Sequence, residues 1–101
     1  MAKYILTKKA VDDLSGIWEY TSNKWSEYQA DKYYEMLIDS FLKIADYPET
    51  GKSYKSLITG IYGFKTGKHI IFYRKSELEN VQIEIIRILH EAMDIKNRLN
   101  D

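Results

Sequence analysis

Three side chains in the second half of the chain are of the types that phosphate chemistry uses: Arg74, Arg87 and His90. Arg74 closes the run Gly67-Lys68-His69-Ile70-Ile71-Phe72-Tyr73-Arg74, and the other two lie in Ile86-Arg87-Ile88-Leu89-His90. A guanidinium is planar, always charged and able to grip a phosphate with two parallel hydrogen bonds. An imidazole titrates near neutral pH and can move protons. With Lys65 and Lys68 adding charge, such a set could clamp a phosphodiester and protonate a leaving oxygen, as RNA cleavage requires. That reaction also needs a base, and no carboxylate occurs between Gly51 and Ser76. Each residue has a structural use as well. Arg87 has Glu84 and Asp94 nearby in sequence as ion-pair partners, and exposed pairs of that kind stabilise little. His90 ends an apolar run, where its ring can hydrogen-bond a turn or meet Asp94 four residues on. His69 opens a hairpin and reads as a turn residue.

Composition narrows the field. The chain has 101 residues, 45% hydrophobic and 30% charged, consistent with one soluble domain. Without cysteine there is no disulfide, thiolate nucleophile or cysteine-held zinc, and two histidines without helical spacing do not suggest a metal site. No cofactor is implied. No window resembles a membrane span or a signal peptide, which suggests a cytoplasmic protein. Net charge is zero, yet Gly51 to Ser76 holds six basic residues and no acid, within an otherwise acidic chain. Such a block can steer an anionic ligand or an acidic protein, or serve as a lysine-protected hairpin edge. A pI near 6.7 argues against a general nucleic-acid binder.

The elements that must position these residues follow from periodicity. Lys3 to Leu6 reads as a short strand, and Thr7 caps a helix with Ala10, Leu14, Ile17, Trp18 and Thr21 on one face. Ser26 and Gln29 form a capping box for a second helix, which Pro48 ends. The short break at Ser22 to Lys24 predicts an antiparallel helical hairpin. Glu49 to Gly60 reads as a loop. Ile61–Lys65 and His69–Lys75 form a hairpin, and Val81–Leu89 is an apolar strand with Val81, Ile83 and Ile85 on one face and Ile86 and Ile88 on the other. Ala92 to Leu99 suggests a short terminal helix. The expected architecture is a single α+β domain over residues 1–101: an N-terminal strand, an antiparallel helical hairpin, then a three-stranded antiparallel meander (β-α-α-β-β-β). The first strand is expected to join that meander, with the helices on one face and the other face partly open.

Trp18, Tyr20, Trp25 and Tyr28 gather near the junction of the two helices. Most aromatics at helical spacing pack the hairpin, but exposed ones make good anchors for a partner peptide.

The chain as a whole resembles the ParE branch of the RelE/ParE superfamily of bacterial toxin–antitoxin toxins. The landmarks are Leu6-Thr7-Lys8-Lys9-Ala10, Asp13-Leu14, Ile17-Trp18-Glu19-Tyr20, Trp25, Gln29-Ala30, Tyr33, Leu37 and Pro48-Glu49-Thr50-Gly51, then Gly67 to Arg74 and Ile86 to Asp94. The resemblance implies a compact α+β toxin and a cognate, ParD-like antitoxin whose C-terminal segment neutralises it. It also implies poisoning of DNA gyrase by binding, with no direct specific nucleic-acid binding by the toxin alone. On this view Lys65, Arg74, Arg87, His90 and Met93 contact the target, on the open sheet face and the C-terminal segment. Trp18, Trp25 and Tyr28 contact the antitoxin. RelE-like relatives cut messenger RNA on the ribosome, and that alternative would use Arg74, Arg87 and His90. A further alternative is a non-toxic, antitoxin-binding or autoregulatory relative.

Overall fold

The computed structural model describes residues 3–100. Strand β1 (Tyr4–Leu6) runs directly into helix α1 (Lys8–Lys24), because the Thr7 hydroxyl accepts the Ala10 N–H at 3.1 Å and starts the helix. Helix α2 (Glu27–Asp46) is capped in the same way by Ser26, whose hydroxyl accepts the Gln29 N–H at 3.1 Å. Past Pro48–Thr50, a single 3-10 turn, come β2 (Lys52–Ser53), β3 (Tyr62–Thr66), β4 (His69–Lys75), β5 (Ile83–His90) and helix α3 (Ile95–Leu99). No helix among the described residues is long and apolar enough to cross a membrane.

The strands form one sheet in the order β1-β5-β4-β3-β2. Strands β3 to β5 form the expected antiparallel meander, extended by β2, and β1 joins it as expected but runs parallel to β5, so the sheet is mixed. The reason is parity. The two-residue β2, read from sequence as loop, adds one reversal after the helical hairpin and leaves β5 pointing the same way as β1.

A bulge in β5 decides which residues meet. Tyr73 faces Ile85 and Phe72 faces Arg87, so Ile86 stands between them without a partner across the strands. Carried on without the bulge, the register would set His69 against Leu89. With it, His69 faces His90. The bulge also separates the two isoleucines expected on one face: Ile88 joins the helix-side core, whereas Ile86 packs on the opposite side.

Both faces of the sheet are covered. On one side Leu37, Phe41 and Ile44 of α2 and Leu14 of α1 pack on Ile71, Tyr73, Ile83, Ile85 and Ile88. Each such side chain contributes about 1.5–3 kcal/mol on burial. The other side was expected to be partly open and is not. Residues 54–61 and α3 fold over it, placing Ile61 and Leu99 on Phe72 and Leu89, with the Tyr54 ring edge-on to Phe72 at 5.1 Å. The spacing Tyr54, Leu57, Ile58, Ile61 is the signal for this cover.

Two further contacts fix the frame. The buried Tyr73 hydroxyl donates to the Pro48 carbonyl at 2.6 Å and accepts the Gly51 N–H at 2.9 Å, tying the loop after α2 to the centre of the sheet. A Cβ at Gly51 would overlap that hydroxyl, which is why glycine stands there. Beyond the end of β1, side chains replace the missing strand along β5. Thr7 donates to the Ile86 carbonyl at 2.8 Å, and the Asp13 carboxylate accepts the Ile88 N–H at 3.0 Å.

Candidate partner-binding groove

The hairpin between β3 and β4 begins the site. Gly67 adopts a φ of +58°, the left-handed conformation that glycine tolerates and a two-residue turn requires. The turn aims the Lys68 N–H at the hydroxyl of Tyr33 on α2, which accepts it at 3.0 Å. That hydroxyl lies 2.6 Å from His69 Nδ1. The Tyr33 hydroxyl proton has no other acceptor among the described residues, so the assignment that satisfies both groups has Tyr33 donating to His69 Nδ1. His90, directly across the strands, accepts the Ala92 N–H on its Nδ1 at 3.0 Å. The two imidazoles meet edge to face with centroids 5.2 Å apart.

This pair floors a groove between α1, the junction of the helices and the end of the sheet. Two adjoining cavities of about 360 and 400 Å³ share Tyr20, Thr21, His69 and His90. The first is completed by Trp25, Gln29, Tyr33 and Lys68, and the second by Asp12, Asp13, Gly16, Ile17, Ile88 and Met93. Tyr20 and Trp25 stand at its margin 63% and 70% exposed, far more than core aromatics would be. Large exposed rings beside an apolar hollow are the usual form of a protein-binding anchor.

Burial, followed by the neighbouring His90, pushes the His69 imidazole down to about 4, while Asp13 and Glu91 oppose the shift more weakly. Burial likewise raises the Tyr33 phenol, partly offset by the bond from the Lys68 backbone. His69 is therefore neutral at physiological pH, and so is Tyr33.

The residues singled out in the sequence divide among three places. His90, Met93 and Trp25 line the groove together. Lys65 lies beyond its end and pairs with Glu91 at 2.8 Å, which raises the lysine and lowers the carboxylate. Trp18 is in the helical hairpin, its indole N–H donating to Asp31 at 3.0 Å, and Tyr28 is exposed with Lys32 over its ring at 4.9 Å. Arg74 pairs with Glu84 on the sheet face away from the helices, at 2.7 Å.

Arg87 does not use the neighbours Glu84 or Asp94. It holds Asp13 of α1 with Nε at 2.8 Å and a terminal nitrogen at 3.0 Å, and it also donates to the Arg98 carbonyl at 2.9 Å. Both side chains of this pair are largely buried, 12% and 15% exposed. Arg74 and Arg87 stand opposite Glu84 and Phe72 on the outer face, whereas His69 and His90 stand on the helix face. The two arginines and His90 therefore do not converge on one phosphate.

Sequence reasoning read His69 as a turn residue and Lys68 only as added charge, and gave Tyr33 and Asp13 no role in the site. The hairpin turn and the capping of α1 place each approximately, but the bulge sets His69 opposite His90, and only the folded chain brings Asp13 to Arg87.

The family model described as ParE toxin of type II toxin-antitoxin system, parDE, matches residues 4–95. Toxin ParE1 of Caulobacter vibrioides is 34% identical over 99 residues, covering 98% of this chain and 99% of its own. Toxin ParE of Escherichia coli is 31% identical over 101 residues, covering 100% and 96%. Toxin ParE1 of Mycobacterium tuberculosis is 29% identical over 98 residues, covering 97% and 98%. A solved structure titled chromosomal ParDE TA system from P. aeruginosa superposes with a TM-score of 0.70, over 89% of this chain and 96% of that one. Its 18% identity makes that a likeness of fold.

Proposed function

The chain belongs to the ParE toxin family of type II toxin–antitoxin systems, and from that premise we propose that it inhibits DNA gyrase by binding it and is neutralised by a cognate antitoxin seated in the groove. The observation that carries the antitoxin assignment is the apolar hollow over His69 and His90, bordered by the exposed rings of Tyr20 and Trp25. Trp18 supports it from behind by tying α1 to Asp31 on α2, and Tyr28 offers a second exposed ring on α2. The target-contacting surface is assigned to the end of the sheet where Lys65, His90 and Met93 lie, with α3 beyond.

Binding is favoured over RNA cleavage by the fate of the arginines. Arg87 is spent on Asp13, Arg74 is paired with Glu84, and His90 faces the opposite side of the sheet. A phosphoryl-transfer site needs its cations and its proton donor within reach of one substrate.

The test sets two assays side by side. Purified protein should block gyrase supercoiling and accumulate cleaved DNA, and should leave messenger RNA intact in a translation extract. RNA cleavage would reverse the choice of target, and inactivity in both with antitoxin binding retained would mark a non-toxic relative. Replacing Trp25 by alanine should weaken antitoxin affinity at least tenfold without unfolding the protein; unchanged affinity would remove this groove as the docking site.

A further inference from the structure

The hydrogen bonds around the two histidines fix which proton each ring carries. Tyr33 donates to His69 Nδ1, and the Ala92 N–H donates to His90 Nδ1. With Nδ1 accepting on both rings, the ring proton sits on Nε2. Neither Nε2 has a hydrogen-bond partner among the described residues, and no fully buried side-chain nitrogen or oxygen among them lacks one, so neither Nε2 is sealed from solvent, and both rings line the groove. The floor thus offers two N–H donors from neighbouring rings.

The charge differs between the two halves of the groove. Among the described residues, Lys68 is the sole charged one lining the half that holds Trp25. Glu91 nearby is paired with Lys65, and the acids of the other half, Asp12 and Asp13, lie on α1 at the far end, Asp13 engaged by Arg87 and the Ile88 N–H. The apolar and aromatic part of the walls includes Tyr20, Trp25, Tyr33 and Ile17. Two N–H donors and one ammonium in a largely aromatic hollow suit a singly charged acceptor attached to a hydrophobic body.

We propose that the groove recognises a carboxylate on the antitoxin segment, an acidic side chain set among apolar ones, through the paired Nε2–H groups of His69 and His90 with Lys68 alongside. This rests on the antitoxin docking proposed above and adds the chemistry that orients it. Once bound, the carboxylate accepts from both rings, and the aromatic margin closes over the hydrophobic residues beside it.

The probe for this test is 4-phenylbutyrate, compared with its uncharged amide, titrated into the full-length protein while the imidazole signals are followed by NMR. The carboxylate should move the His69 and His90 signals together and bind at least fivefold more tightly than the amide. His90→Phe should reduce carboxylate binding to the amide level, and His90→Gln, which restores an N–H donor, should recover most of it. Equal binding of the two probes by the unaltered protein overturns the proposal without reliance on any variant. Tighter binding of uridine 3′-monophosphate at the same signals would overturn it in favour of an RNA phosphate. Cognate antitoxin should displace bound phenylbutyrate. If it does not, the docking site is wrong while the carboxylate site stands. If it does, yet His90→Phe leaves antitoxin affinity unchanged, the docking stands and the carboxylate inference falls.

Discussion

Replacing Asp13 by alanine should be among the most damaging single changes in the molecule, although the residue lies on a surface-facing helix. Three hydrogen bonds vanish together: those from Arg87 Nε at 2.8 Å, from its terminal nitrogen at 3.0 Å and from the Ile88 N–H at 3.0 Å. What remains is a guanidinium only 12% exposed without its counter-charge, and a strand amide without its acceptor. Removing one partner of a buried ion pair costs about 3–5 kcal/mol, and an orphaned amide about 1–3 kcal/mol. The two losses overlap, because water admitted to the gap serves both, so the expected total is about 3–4 kcal/mol. For a domain of this size, which holds about 5–15 kcal/mol in all, that is a large share. With a urea slope of about 1.5–2 kcal/mol per molar, the midpoint should fall by about 2 M. Circular dichroism through a urea series on Asp13→Ala, Arg87→Met and the double variant measures it. The double variant should cost clearly less than the sum of the singles, with a coupling of about 2 kcal/mol. A loss below about 0.5 kcal/mol in Asp13→Ala, or strict additivity, would refute the assignment of this pair as the clasp between α1 and β5.

Gly16 lies in α1 with open space where a Cβ would stand, so Gly16→Ala should stabilise the fold by about 0.5–1 kcal/mol. The same methyl enters the groove wall, so antitoxin affinity by calorimetry should fall while the melting temperature rises. Gly51→Ala should instead destabilise by more than about 1 kcal/mol in urea unfolding, because the added carbon displaces the Tyr73 hydroxyl from Pro48 and Gly51. For pH, His69 is held at about 4 in the folded state against an ordinary 6.5, so the unfolded chain binds the extra proton first. Its contribution to stability is therefore complete above pH 6.5 and is lost as pH falls from 6.5 toward 4. Urea midpoints at about pH 7.5 and about pH 5 should show the decline, and His69→Gln should flatten it.

The helical half of the fold was legible in the sequence because its signals are local. Thr7, Ser26 and Pro48 act within a few residues of themselves, and the structure places the helix boundaries where they point. The sheet was harder. β2 is two residues without apolar character, yet it reverses the sense of every later strand relative to β1. The bulge at Ile86 follows from no residue type in the run Ile-Glu-Ile-Ile-Arg-Ile-Leu-His, where alternation fails to mark a face. The cover on the outer face was written in Tyr54, Leu57, Ile58 and Ile61, but loop composition masked it. For the site, His90 and Trp25 could be nominated by type and position, and Met93 through the family resemblance. The partners that give them meaning could not, since Arg87 finds Asp13 across 74 residues of chain and Tyr33 meets His69 across 36.

β5 comes fifth among the strands along the chain and second across the sheet, with β1 on one flank and β4 on the other. During synthesis the helical hairpin can form early from neighbouring residues, while the strand that must receive β1 has yet to emerge. Thr7 waits 79 residues for the Ile86 carbonyl, and closing so wide a span is slow compared with local pairing. Until β5 arrives, β1 has no neighbour and half of the floor of the groove does not exist. The order of translation therefore sets a delay between the first appearance of this chain and the first moment it can engage any partner.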